Sequence, residues 1–163
     1  MKNKAIFLDR DGVILNNEHH YYIWKPDQVE YVDGIFENLQ FLAKMGFQFF
    51  IVSNQGGISR GFYTKTDVEN LHQELADTFR KHHISITEMT FCPHHPEVEK
   101  CLCRKPESLL LEKLIAKYAI SADGSYLIGD SQTDMDAARN AGVCGIKVTP
   151  NRNMVESLSL IAE

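Results

Sequence analysis

The 163 residues suffice for one domain with one sizeable core, on the usual scale of ~100–200 residues per domain. Hydrophobic residues at 44% and charged residues at 24% are ordinary globular usage, which excludes a disordered or low-complexity chain. Lys and Arg number 17 against 22 Asp and Glu, a formal charge of −5, so no basic excess serves a nucleic-acid backbone or an anionic membrane; phosphate, if handled, is handled locally.

Residues 4–8 read as a short buried strand that ends at Asp9-Arg10-Asp11-Gly12. Residues 16–33 are polar and aromatic-rich, with no helical period, and predict a long loop or small hairpin. After Gly34, Ile35, Leu39, Leu42 and Ala43 fall at helical spacing until Gly46, and residues 47–52 predict a second buried strand. Ser53-Asn54-Gln55-Gly56-Gly57 forms a loop, and a helix opens at Thr66-Asp67 with Val68, Leu71, Leu75 and Phe79 on one face. A third strand is expected over 88–91. Residues 92–103 make a loop broken by Pro93 and Pro96, followed by a helix from about Pro106 to Tyr118. A fourth strand over 126–128, a helix over 135–141, a fifth strand over 145–148 and a short C-terminal helix complete the chain.

Strands alternating with helices predict an α/β fold, a doubly wound and mainly parallel sheet, in a single domain over 1–163 with neither repeat nor linker. No apolar run approaches the ~18 residues of a membrane span, and the N-terminal apolar stretch stops at Asp9, so a cytoplasmic protein is expected. In such a sheet ligands bind at the carboxyl ends of the strands. Asp9 and Asp11 follow the first, Ser53 and Asn54 the second, Asp130 and Asp134 the fourth.

Asp9 and Asp11 are two apart, so on an extended segment both leave one face and can approach one centre. Such a pair can hold Mg²⁺ or divide labour as nucleophile and general acid. The plainer alternative, a strand cap and a turn at Asp11-Gly12, weakens once the other loops are joined to it. Asp130 stands directly at a strand end, opposite Asp9, where metal binding suits it; Asp134 either caps the next helix or orients a metal water. Lys105 lies where a rigid loop meets a helix and can aim its ammonium at a phosphate or at Asp9. The Ser53 hydroxyl and the amides from Asn54 to Gly57 can serve phosphoryl oxygens.

Taken together and in this order, Asp9-Arg10-Asp11-Gly12-Val13, Ser53, Lys105 and Gly129-Asp130 with Asp134 resemble the haloacid dehalogenase superfamily of phosphotransferases, over nearly the whole chain. The resemblance implies a phosphatase in which Asp9 attacks phosphorus and Asp11 is the acid and base. Mg²⁺ would be held by Asp9, Asp130 and the main-chain carbonyl of Asp11, with Ser53 and Lys105 on the phosphoryl oxygens. Loose phosphoryl transfer depends on such positioning and charge neutralisation.

Cys92-Pro93-His94, six residues, then Cys101-Leu102-Cys103 supplies three thiolates and one imidazole, the inventory of a closed tetrahedral Zn²⁺ site. With four ligands in one loop the zinc is read as structural. Free cysteines in a core are the alternative, and the flanks Pro93, Pro96, Glu97, Glu99 and Lys100 are not core residues. This loop narrows the resemblance to a capless branch holding D-glycero-D-manno-heptose 1,7-bisphosphate 7-phosphatases and N-terminal histidinol-phosphate phosphatase domains. A small phosphorylated metabolite, a sugar bisphosphate, is then the expected partner of a monomeric enzyme.

A free-standing chain and His94-His95-Pro96 favour the heptose type; the six-residue spacing leans to the histidinol type. Ser131 stands where some heptose phosphatases have a substrate-binding lysine. Arg104 is expected to grip a second phosphate through a bidentate fork. Arg10, Asn54, Gln55 and Ser131 are further substrate-contact candidates. Residues 17–24 are read either as a flap with Asn17, Glu18, His19 and His20 near the sugar, or as a surface hairpin packed by its aromatics. His72, His82 and His83 are expected in solvent. Two rivals are a non-enzymatic phospho-acceptor of the receiver type, whose aspartate would stand where this chain has Cys92, and a zinc-stabilised nucleic-acid module, which the charge disfavours.

Overall fold

The computed structural model of the chain describes residues 3–161; residues 1, 2, 162 and 163 of the expected unit lie outside it. Five strands, β1 (Ala5–Leu8), β2 (Gln48–Asn54), β3 (Ile86–Cys92), β4 (Tyr126–Gly129) and β5 (Cys144–Lys147), form one sheet in the order β3-β2-β1-β4-β5. Every pairing is parallel, so each connection must cross over, and the helices α1 (Ile35–Lys44), α2 (Lys65–Lys81), α3 (Leu109–Lys117) and α4 (Gln132–Ala141) supply the crossovers. The doubly wound α/β reading is therefore correct.

Alternation along the strands divides the core in two. Ile6 and Leu8 of β1, with Phe49 and Ile51 of β2, face Leu39 and Leu42 of α1 and Leu71, Leu75 and Phe79 of α2. Ala5 and Phe7, with Phe50, Val52 and Leu127, face Leu110, Leu111 and Leu114 of α3 and Ala137 and Ala138 of α4. Because β1 is buried on both faces, its four residues form a continuous apolar run with no exposed side chain. The order reverses direction at β1, between β2 and β4, which opens a crevice beyond the carboxyl ends of β1 and β4.

Several boundaries differ from expectation for local reasons. Helix α2 begins at Lys65 because the capping pair is Thr64 with Asp67: the Asp67 amide donates to Thr64 Oγ1 at 3.1 Å and the Thr64 amide donates back to Asp67 Oδ2 at 2.7 Å. Ser131 and Asp134 start α4 the same way, three residues before the apolar signal at Met135. Helix α3 begins at Leu109 rather than Pro106, after a turn in which the Glu107 amide donates to Arg104 O. The C-terminal segment Val155–Leu160 is a 3-10 helix. Strands β2 and β3 run on to Asn54 and Cys92, which pair with each other and so bring the loop after β3 beside the one after β2.

Candidate active site

Asp9 leaves the end of β1, its amide donating to Ile128 O of β4 at 3.0 Å, and Asp130 leaves the end of β4. With Asp134 in the first turn of α4 they bring three carboxylates together, one oxygen from each within 4.8 Å of the others. Two glycines make the room. Gly12 has φ of 91°, and a side chain there would overlap Asp130 Oδ2; at Gly129 it would overlap Asp134.

The one ammonium in this group is Lys105, almost wholly buried. Its Nζ donates to Asp9 Oδ1 at 2.9 Å and to Val52 O at 2.8 Å, and pairs with Asp134 Oδ1 at 2.7 Å. Asn54 clasps its backbone from the end of β2: the Lys105 amide donates to Asn54 Oδ1 at 3.0 Å, and Asn54 Nδ2 donates to Lys105 O at 3.1 Å. Burial disfavours the charged ammonium, but Asp9 and Asp134 outweigh it and raise Lys105 above the ordinary lysine range. Burial pushes Asp9 up to about 7, with Asp134 and Asp130 adding to the rise and Lys105 opposing it. Burial, then Asp134, also raises Asp130. One ammonium among three carboxylates leaves an excess of negative charge on hard oxygen donors, which fits a divalent cation such as Mg²⁺. Asp134 does cap α4, as its Oδ2 accepts from Ser131 Oγ at 2.7 Å. Its second oxygen engages Lys105, a role that the capping pattern conceals in the sequence.

Asp11 is held differently. Arg10, expected among the substrate contacts, is fully buried and forks onto it: Nε donates to Oδ1 at 2.9 Å and Nη2 to Oδ2 at 3.0 Å. Gln55, another expected contact, is also buried and donates to Asp11 Oδ2 at 3.1 Å and to Ser53 Oγ at 2.7 Å, while Tyr63 donates to its carbonyl at 2.7 Å. The side chain of Asn54 is committed to Lys105 and that of Ser131 to its helix cap. Arg10 and Gln55 are buried behind Asp11, while Asn54 and Ser131 are half-buried and Asn54 also lines the cavity beside Arg104. His72, expected in solvent, is buried on α2 with its Nε2 3.2 Å from Arg10 Nη1. His82 and His83 are exposed.

In the segment 17–24 Tyr22, Ile23 and Trp24 pack inward, while Tyr21 is exposed. Tyr22 and Trp24 lie against Tyr63, with ring centroids 5.5 and 5.9 Å away, and Ile23 is fully buried. Asn17 is tied by its amide to Asn151 Oδ1 at 3.0 Å, while Glu18, His19 and His20 are exposed.

Cys92, His94, Cys101 and Cys103 converge as the spacing predicts, with Cys92 Sγ 3.6 Å from Cys101 Sγ and 3.0 Å from Cys103 Sγ, and His94 Nδ1 3.2 Å from Cys103 Sγ. None of the four is in a disulfide. Three sulfurs and an imidazole nitrogen in one cluster match a tetrahedral zinc site. Glu99 Oε1 lies 3.8 Å from His94 Nε2, the ring nitrogen that does not face Cys103 Sγ. The Arg104 amide donates to Cys101 Sγ at 3.4 Å and its Nη1 to His94 O at 3.0 Å, which leads the chain from this cluster straight to Lys105. Between them opens a cavity of about 500 Å³ lined by Asn54, Lys100, Arg104, Lys105 and Thr133 among others.

Comparison with known proteins matches residues 102–162 to the HAD-hydrolase-like family model. The D-glycero-beta-D-manno-heptose-1,7-bisphosphate 7-phosphatase of Helicobacter pylori is 39% identical over 142 residues, which span 86% of this chain and 80% of that protein. This chain belongs to the haloacid dehalogenase superfamily. Within that superfamily, the histidine biosynthesis bifunctional protein HisB of Legionella pneumophila is 36% identical over 140 residues, 86% of this chain and 40% of that protein. The crystal structure of D,D-heptose 1,7-bisphosphate phosphatase from B. bronchiseptica, complexed with magnesium and phosphate, superposes with a TM-score of 0.83 at 25% identity, over 96% of this chain and 86% of that one. Haloacid dehalogenase phosphatases set the expectation for this one: it is a phosphomonoester hydrolase, not a passive phospho-acceptor. Among its described residues no helix is long and apolar enough to cross a membrane.

Proposed function

We propose that this chain removes the 7-phosphate of D-glycero-D-manno-heptose 1,7-bisphosphate, as a single-domain enzyme of the cytoplasm. The observation that carries the reading is the group of Asp9, Asp130 and Asp134 around the buried ammonium of Lys105, at the switch point of the sheet. The Arg10 amide at 2.8 Å and Lys105 Nζ at 2.9 Å both donate to Asp9 Oδ1, so Oδ2 is the atom offered to phosphorus. As the Asp9–phosphorus bond forms, the ester P–O bond breaks and the leaving oxygen takes a proton from Asp11. Asp11, now a carboxylate, accepts a proton from water as that water displaces Asp9 and frees inorganic phosphate. Asp9, Asp130 and the Asp11 main-chain carbonyl would hold Mg²⁺, with Asp134 adjoining, and a bound Mg²⁺ neutralises charge on the phosphoryl oxygens. Ser53 and Lys105 assist there. Cys92, His94, Cys101 and Cys103 hold a structural Zn²⁺.

The heptose relatives favour this substrate, and the cavity beside Arg104 and Lys100 suits the second phosphate of a bisphosphate. Hydrolysis of histidinol phosphate is the second reading, supported by the similarity to the bifunctional histidine protein. The test is phosphate release with Mg²⁺ from both anomers of the heptose bisphosphate, fructose 1,6-bisphosphate and histidinol phosphate, with Asp9→Asn as control. A many-fold preference in kcat/KM for a heptose anomer is expected. Preference for histidinol phosphate would replace the substrate assignment, and undiminished turnover by Asp9→Asn would overturn the mechanism.

A further inference from the structure

We propose that His72 is a positioning residue for Asp11, acting through Arg10. The inference deepens the reading above and rests on Asp11 being its acid and base. The core stripe of α2 is otherwise apolar, with Val68, Leu71, Leu75 and Phe79 buried, so a buried imidazole among them needs a reason. Its ring stands edge-on to Phe91, 5.6 Å between centroids at 83°, and presents Nε2 to Arg10 Nη1 at 3.2 Å. A guanidinium has donors and no acceptor, so Nε2 must be the accepting nitrogen and the ring proton sits on Nδ1. Burial and the adjacent guanidinium keep the ring neutral, as that bond demands.

Arg10 then has every nitrogen of its fork committed. Nε and Nη2 go to Asp11, Nη2 also to Ile23 O at 2.7 Å, and Nη1 to His72. With His72 removed, Nη1 would be left unpaired in the interior, and the fork would turn to recover an acceptor at the expense of Asp11. The orientation of Asp11 matters because three of the about four acceptor positions of a carboxylate are taken: one on Oδ1 by Arg10, two on Oδ2 by Arg10 and Gln55. The position left is on Oδ1, where a proton bound for the leaving oxygen would reside. His72 reaches the reaction only through that aim; it touches neither substrate nor metal.

A leaving group that needs no proton separates this role from a merely structural one. The full chain, loaded with its metals, is assayed for kcat/KM, which reports steps through cleavage of the ester bond, with an alkyl phosphate (the preferred substrate of the panel) and with p-nitrophenyl phosphate, whose phenolate leaves unprotonated. His72→Phe fills the ring volume without an acceptor and is expected to lower the alkyl value tenfold or more and the aryl value less than threefold. His72→Gln, which offers an amide oxygen, is expected to restore the alkyl value to within threefold of the original. Equal losses on both substrates, or no loss in His72→Phe, would overturn the proposal. Should His72→Phe not fold, Arg10→Lys takes its place: it keeps the charge but cannot fork, and it must show the same alkyl-selective loss or the proposal fails. If the unsubstituted chain hydrolyses neither phosphate, the functional reading itself falls, an outcome distinct from an unchanged alkyl-to-aryl ratio in an active enzyme.

Discussion

Acidification should destabilise this protein through His72 by an amount that the structure sets. Burial, with the Arg10 guanidinium beside it, pushes the ring down from its ordinary 6.5 to about 3. The native state therefore binds fewer protons than the unfolded chain between those values, so this contribution is complete above pH 6.5 and is lost as the pH falls toward 3. Across the whole interval it amounts to about 5 kcal/mol, and about 2 kcal/mol of that is gone by pH 5. The value at pH 5 hardly changes if the folded group titrates at about 4 instead, because at pH 5 it is the unfolded chain that takes up the proton. For a domain of this size about 2 kcal/mol is about 4–8 °C in Tm. The perturbation is His72→Gln, which keeps an acceptor for Arg10 and does not titrate. Urea unfolding of both chains at pH 7.5 and pH 5 gives a difference of differences in which the carboxylates common to both cancel. The unsubstituted chain should lose about 2 kcal/mol more than the variant. Equal losses in the two chains would show that His72 titrates normally in the folded state, and would refute the burial argument.

Lys105→Met should leave Asp9 and Asp134 as two buried carboxylates without a counter-charge, costing about 3–5 kcal/mol in urea unfolding without Mg²⁺ and about a hundredfold or more in phosphate release; a chain as stable as the original would show that the ammonium is dispensable. Gly12→Ala forces a side chain into the left-handed region and onto Asp130, and should cost about 1–3 kcal/mol together with most Mg²⁺-dependent turnover, read by thermal melting and phosphate release. Cys103→Ser should abolish stoichiometric zinc in metal analysis and open the segment 92–103 to limited proteolysis, with Asp9→Asn as a control that leaves zinc content unchanged. Unaltered zinc content in Cys103→Ser would remove that residue from the ligand set.

The fold was legible because its signals are periodic. The central strands β1, β2 and β4 show as short apolar runs, and α2 carries the stripe Val68, Leu71, Leu75 and Phe79. Boundaries were less legible where a cap sits before the apolar signal, as at Thr64 and Ser131, or where a strand continues through polar residues, as β2 does through Ser53 and Asn54. Within the site, residues at and after strand ends converge as spacing requires, and Cys92, His94, Cys101 and Cys103 come together from a single loop. What the sequence conceals is direction. Arg10 sits between two carboxylates of the motif and looks like a hand for a phosphate, yet it turns inward; His72 looks like a helix-surface histidine and is its inner partner. Arg10's direction is set partly by Asp11 beside it and partly by acceptors 13 and 62 residues away, at Ile23 and His72, which no local pattern encodes.

The same dependence on distant partners explains how the sheet can hold its lysine so firmly. Cys92 ends β3 beside Asn54 of β2, so the loop that follows starts from a fixed strand pair. The convergence of Cys92, His94, Cys101 and Cys103 folds that loop back on itself, Cys101 Sγ accepts the Arg104 amide, and Asn54 clasps the very next residue at both its amide and its carbonyl. From Cys101 to Lys105 no residue is free to choose another path without giving up one of these bonds. A long lysine side chain gives up about 2 kcal/mol of rotamer freedom on being fixed. Clamping the backbone on both sides supplies the constraint before the side chain extends, so its ammonium arrives between Asp9 and Asp134 already aimed. Damage to the loop should therefore register first as a loss at Lys105, in turnover, while the apolar core that holds the sheet remains intact.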